Sequence, residues 1–151
     1  MYRDRPRAAW PVTDDGTAGM DTLSLSLDPL HEASTGVARL PSGTDLGHVH
    51  LEVSSLSATR SFYVDGLGLN VRLSMPSALF LAFGDYHHHV GCNVWNGRTE
   101  PAAGRGLARV ELVVDDPEAI RARLDPATVA EREGGFEARD PDGLTIRVRR
   151  A

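Results

Sequence analysis

The chain carries a single cysteine, Cys92. No intramolecular disulfide can form from it, and no cysteine-based zinc site can be built on it. That economy suits a reducing compartment, and a cytoplasmic protein is expected. No stretch approaches the ~18 apolar residues that a membrane-spanning helix needs. The charged start Met1-Tyr2-Arg3-Asp4-Arg5-Pro6-Arg7 leads into no apolar run of signal-peptide length. Basic charge is in deficit, with a net charge of −5, which argues against nucleic acid as a partner. A glycine-rich nucleotide loop is also missing: Gly66-x-Gly68 follows a helical pattern instead of joining strand to helix. No Ser-His-Asp arrangement appears in a recognisable context.

What is present describes a globular chain of 151 residues, 41% apolar and 25% charged, enough for one domain with a real core. Residues 1–45 read as an N-terminal arm and linker, broken by Pro6, Pro11, Gly16, Gly19, Gly36, Pro41 and Gly43. Within the arm, Leu23, Leu25 and Leu27 alternate with Ser24 and Ser26 as a half-buried strand does. Asp28-Pro29 then suits the opening of a short helix over Leu30–Ala33.

Residues 46–151 carry a repeat. In module one, 46–97, Val49, Leu51 and Val53 fall on one strand face, with His48, His50 and Glu52 on the other. Leu56 to Tyr63 has helical spacing, with Leu56, Thr59, Phe62 and Tyr63 as the buried stripe. Val71–Leu73, Ala78–Phe83 and His87–Trp95 read as strands. In module two, 106–150, Val110, Leu112 and Val114 repeat the first apolar face, which sets Arg109 where His48 stands, 61 residues on. Asp116-Pro117-Glu118 opens a helix whose stripe is Ala119, Ile120, the Arg123 stem and Leu124. Phe136–Ala138 and Leu144–Val148 are strands joined by the turn Asp140-Pro141-Asp142-Gly143. At the module ends His89 matches Arg147, an offset of 58. Two such copies predict an α+β fold: paired βαβββ modules forming a cup-shaped mixed sheet.

His48-x-x-Leu51-x-Val53, the helix with Phe62-Tyr63, Gly66-Leu67-Gly68-Leu69, and Asp140-Pro141-Asp142-Gly143 resemble the vicinal oxygen chelate superfamily of glyoxalases, bleomycin resistance proteins and extradiol dioxygenases. Leu40-Pro41-Ser42-Gly43-Thr44, Gly47-His48-Val49-His50-Leu51, Pro76-Ser77-Ala78-Leu79-Phe80, and Tyr86-His87-His88-His89-Val90-Gly91 with Asn93 and Trp95-Asn96 are similar to the C-terminal half of bacillus-type catechol 2,3-dioxygenases. The first seven residues and Trp10 resemble the connector between the halves of those enzymes. In them a first domain supplies a His and a Glu for the metal; its lack here is an expectation, with the Glu falling just before Met1.

The resemblance implies Fe(II) or Mn(II) held by two His and one carboxylate, with open positions for catechol and dioxygen. The four aligned ligand positions hold His48, His89, Arg109 and Arg147, and a guanidinium offers no lone pair. The expected metal set is therefore His48 and His89, with Glu111 as an off-pattern carboxylate; Glu52 is the other carboxylate candidate. His50, displaced along the strand by ~6.6 Å from His48, is expected to move protons as the catalytic group. Arg109 and Arg147 hold a carboxylate or phenolate in one reading and pair with Glu111 or Glu137 in another. With Asn93 they form the expected substrate-binding set. Strand alternation puts His87 and His89 on one face and His88 on the other. Cys92, opposite His89, is expected to be a small buried apolar residue.

Three readings follow: ring cleavage of a catechol-like diol, a non-catalytic domain that sequesters a small aromatic or anionic molecule, or a subunit with a degenerate metal site that a separate first domain would complete. Trp10 and the Leu23–Leu27 stripe need covering, so a homodimer or a partner domain is expected.

Overall fold

The computed structural model describes residues 7–14, 19, 26–34, 36, 39, 42–102 and 106–151. The chain divides into two units, Met1–Gly47 and His48–Ala151. In the first unit a 3-10 turn spans Arg7–Ala9, and a short helix, α1, spans Asp28–Ala33 with its proline in the first turn. The helix thus starts two residues before the predicted Leu30, because Pro29 already has the φ a helix requires. The Leu23–Leu27 stripe lies, but for its last two residues, outside the described residues. Among the described residues, no helix is long and apolar enough to cross a membrane.

The second unit is two βαβββ modules. Module one runs β1 (Val49–Glu52), α2 (Leu56–Arg60), a π-helical turn (Ser61–Gly66), β2 (Asn70–Met75), β3 (Ala78–Ala82) and β4 (Val90–Asn93). Module two runs β5 (Arg109–Val114), α3 (Pro117–Arg121), β6 (Val129–Arg132), β7 (Gly135–Arg139) and β8 (Thr145–Arg150). The expected mixed sheet is realised as two four-stranded sheets, ordered β1-β4-β3-β2 and β5-β8-β7-β6. In each, the first strand lies parallel to the last and the other pairs are antiparallel. A parallel pair needs a long crossover, and the helix and two intervening strands supply it.

The helices begin where their caps dictate. The Ser55 side chain accepts from the Ala58 amide, and Asp116 accepts from Ala119 ahead of Pro117. Thr59 and Tyr63 are buried as the helical stripe predicts, while Leu56 and Phe62 are half-buried. One apolar cluster joins both modules: Val53, Tyr63, Leu79, Leu81 and Cys92 from the first pack with Ile120, Phe136, Ile146 and Val148 from the second. Removing this surface from water is the main force holding the unit together.

Polar ties join the modules where the turn Asp140–Gly143 meets module one. The Tyr63 hydroxyl donates to Asp140 Oδ2 at 2.9 Å. Asp142 accepts from the Ser54 amide at 3.0 Å and from Arg98 Nη1 at 2.9 Å. Gly143, at φ 85°, closes that turn in a conformation few other residues adopt.

Two elements depart from the sequence reading. The predicted strand His87–Trp95 shortens to Val90–Asn93, and His87–His89 form an irregular approach to it. Strand β6 was not foreseen, since its only partly buried residue is Val129 and no alternation marks it.

Candidate metal centre

Strand β1 turns Val49 and Leu51 toward the core, so His48, His50 and Glu52 point to the opposite face. Phe80 of β3 shares that face, because Phe80 pairs with Gly91 of β4 and Gly91 pairs with His50. The His50 imidazole lies directly on Gly91, where a Cβ would sit 2.8 Å from its Cε1 and Nδ1. The Phe80 ring stands 6.1 Å from His50 and 5.1 Å from His88, forming an apolar wall.

His88 enters this face from the segment before β4. It is only 8% exposed. Its Nε2 is 3.3 Å from His50 Nε2, and its Nδ1 is 2.8 Å from His87 Nδ1. The His48 ring lies 4.4 Å from that of His88 and 5.2 Å from that of His50. Donor nitrogens of His48, His50 and His88 all fall within 4.8 Å of one another. Partial burial lowers the pKa of His50, which keeps its lone pair available near neutrality. Beside His50 a cavity of about 300 Å³ opens, lined also by Glu52, Arg98, Leu107, Asp142 and Leu144.

The expected metal set His48, His89 and Glu111 is not the set the structure groups. His48 is in the cluster. His89 turns away: its Nδ1 accepts from the Phe83 amide at 3.2 Å, and its ring stacks on Tyr86 at 4.6 Å. Its backbone instead bridges β1 and β3, taking the Val49 amide on its carbonyl and giving its own to Leu81. Glu111 lies on the other sheet, tied to Arg149 Nε at 2.8 Å, a bond that holds its carboxyl below the usual range. His50, expected to carry protons, stands among the donors. Asn93 is buried and accepts from the Trp95 amide at 3.3 Å. Arg109 and Arg147 share a face of the second sheet, where Arg109 reaches Glu137 at 3.9 Å.

The residue that the sequence reading did not bring beside His48 and His50 is His88. Three consecutive histidines show no periodicity, and alternation was applied to a segment that is not a strand. Gly84-Asp85, between the Ala78–Phe83 and His87–Trp95 runs, is the signal that the chain was still turning there.

Three imidazoles on one side, one buried and two exposed, fit a divalent transition ion and leave its remaining positions open. Among the described residues no carboxylate joins the three.

The fold is that of the glyoxalases, and the chain resembles the vicinal oxygen chelate superfamily. It is similar to catechol-2,3-dioxygenase of Bacillus subtilis (strain 168), 34% identical over 153 aligned positions covering 93% of this chain and 54% of that one. The chain thus spans about half the length of the curated relative it matches. Glyoxalase I of Leishmania major shares the fold, with a TM-score of 0.55 and 22% identity over 71% of this chain and 86% of that one. An antibiotic-binding protein from Streptomyces sp. CB03234 does so at 0.51 and 21%, covering 74% and 98%. No family model matches the chain.

Proposed function

We propose that this chain is a metal-dependent domain of the extradiol dioxygenase type, with His48, His50 and His88 holding Fe(II) and a catechol-like diol as its ligand. The observation that carries this reading is the convergence of the three imidazoles. When bound, the ion would supply a chelating centre for two phenolic oxygens and for dioxygen, the chemistry of ring cleavage. The chain's own residues do the rest. His87 orients His88 through the Nδ1 contact, as partners of metal-bound imidazoles commonly do. Phe80 walls one side against water. His50 enters as a donor in place of the proton-moving role.

The test is anaerobic reconstitution with Fe(II), Mn(II) or Zn(II), then metal analysis after desalting and assay on a catechol panel. Wild type and His89→Ala should retain about one iron per chain, and His88→Ala should lose it. A yellow ring-fission product from the iron form supports the catalytic part. Retention by His88→Ala with loss from His89→Ala would overturn the assignment.

A cluster of three imidazoles that, among the described residues, takes in no carboxylate favours a second reading, a domain that sequesters a small aromatic molecule without turnover. An antibiotic-binding neighbour of the same fold supports it. Catechol-induced thermal shifts that persist in chelator, without product, would decide for it. A homodimer or partner domain belongs to either reading, and light scattering reports it.

A further inference from the structure

The second sheet carries a basic face in an acidic chain. Directly paired residues share a face, so three rows can be read across it. Arg109, Thr145 and Arg139 form the first. Glu111, Arg147, Glu137 and Ala130 form the second. Val113, Arg149, Gly135 and Arg132 form the third. Five arginines therefore stand against two glutamates, although the whole chain has a net charge of −5.

The central arginine is the one left short of partners. Arg147 lies between Glu111 and Glu137 in register, yet both carboxylates pair with other arginines. Glu111 bonds Arg149 at 2.8 Å. Glu137 pairs with Arg132 at 2.8 Å and Arg109 at 3.9 Å. Arg147 gives Nη2 to the Glu133 carbonyl, while its Nη1 is buried and, among the described residues, has no hydrogen-bond partner. A buried guanidinium nitrogen without an acceptor is costly, and each such group calls for an oxygen to meet it. Gly135 stands in register between Arg149 and Arg132 and adds no charge to that row.

The geometry points to an oxyanion site on this face, centred on Arg147 and flanked by Arg149 and Arg109, that takes a small molecule bearing a carboxylate or phosphate. Guanidinium forks match the paired oxygens of either group. The site uses none of the histidines and stands whether or not the metal reading does.

Thermal shift and calorimetric titrations in chelator, with benzoate and with inorganic phosphate at constant ionic strength, test it. Chloride is the reference anion, and heparin tests for a polyanion partner. Saturable binding of benzoate or phosphate by wild type is expected, and which one binds tells carboxylate from phosphate. Arg147→Gln should weaken it by about tenfold or more, the scale of one charge-assisted hydrogen bond. Arg147→Lys, which keeps the charge but loses the fork, should also weaken it, and covers the case in which the glutamine variant does not fold. Arg121→Gln, paired with Glu131 through α3, should bind as wild type does. Equal shifts with chloride, undiminished binding by both Arg147 variants, or binding of heparin alone would overturn the proposal.

Discussion

The imidazole of His50 rests on the backbone of Gly91, its strand partner, and a single methyl there would come within 2.8 Å of the ring. The Nε2 of the same ring lies 3.3 Å from Nε2 of His88. Gly91→Ala should leave the fold in place, at a cost of about 1–3 kcal/mol for overpacking. Iron retention should fall about tenfold or more, the usual effect of disturbing a donor's support. Circular dichroism and metal analysis on the same samples separate the two effects.

The Tyr63–Asp140 bond should be worth more to stability than to function. Burial, then the neighbouring Asp140, pushes the tyrosine hydroxyl far above its ordinary value, so it stays a donor at every working pH. Tyr63→Phe leaves Asp140 Oδ2 without that donor and should cost about 1–3 kcal/mol. Urea denaturation measures the loss, and a cycle with Asp140→Asn should show strong coupling.

Asp142 ties the modules by a different route, accepting from Ser54 and Arg98. Asp142→Ala should strand the Ser54 amide and lower stability by about 1–3 kcal/mol. Faster amide exchange at Ser54, with exchange across β7 and β8 unchanged, is the expected signature in hydrogen exchange.

The pKa of His50 sits below the ordinary value of about 6.5. Between the folded and unfolded pKa values the unfolded chain therefore binds more protons. Stability of the metal-free protein should rise with pH through that window and level off above about 6.5. A proton NMR titration should give His50 a midpoint below about 6.5, and His50→Asn should flatten the stability profile. A midpoint at or above that value would refute the assignment.

Cys92 is fully buried, and desolvation pushes its thiol up to about 12. It should resist thiol reagents in the native state and react only as the domain opens, so its labelling rate gives a measure of unfolding.

The fold class was legible because it depends on local patterns repeated twice. The Val49–Leu51–Val53 and Val110–Leu112–Val114 alternations, the Ser55 and Asp116 caps and the Asp140–Gly143 turn each bias a few neighbouring residues. Burial of one face of each sheet makes these preferences agree. Cys92 could be read as buried for the same reason. The centre was less legible. The place of His48 beside β1 could be read from alternation, but whether His88 or His89 comes near it depends on a loop path that no period encodes. His89 lost its ring to the Phe83 amide, and His88 gained its place through a turn that delivers it over Phe80. The arginines on the second sheet could be counted from the sequence, but not their pairing. Which carboxylate each takes depends on register between strands as much as 38 residues apart. Side chains alternate by local geometry, whereas partners are settled only when distant segments pack. The sequence alone thus determined the two modules and their faces, and tertiary packing decided which three histidines meet and that Arg147 is left with a buried donor.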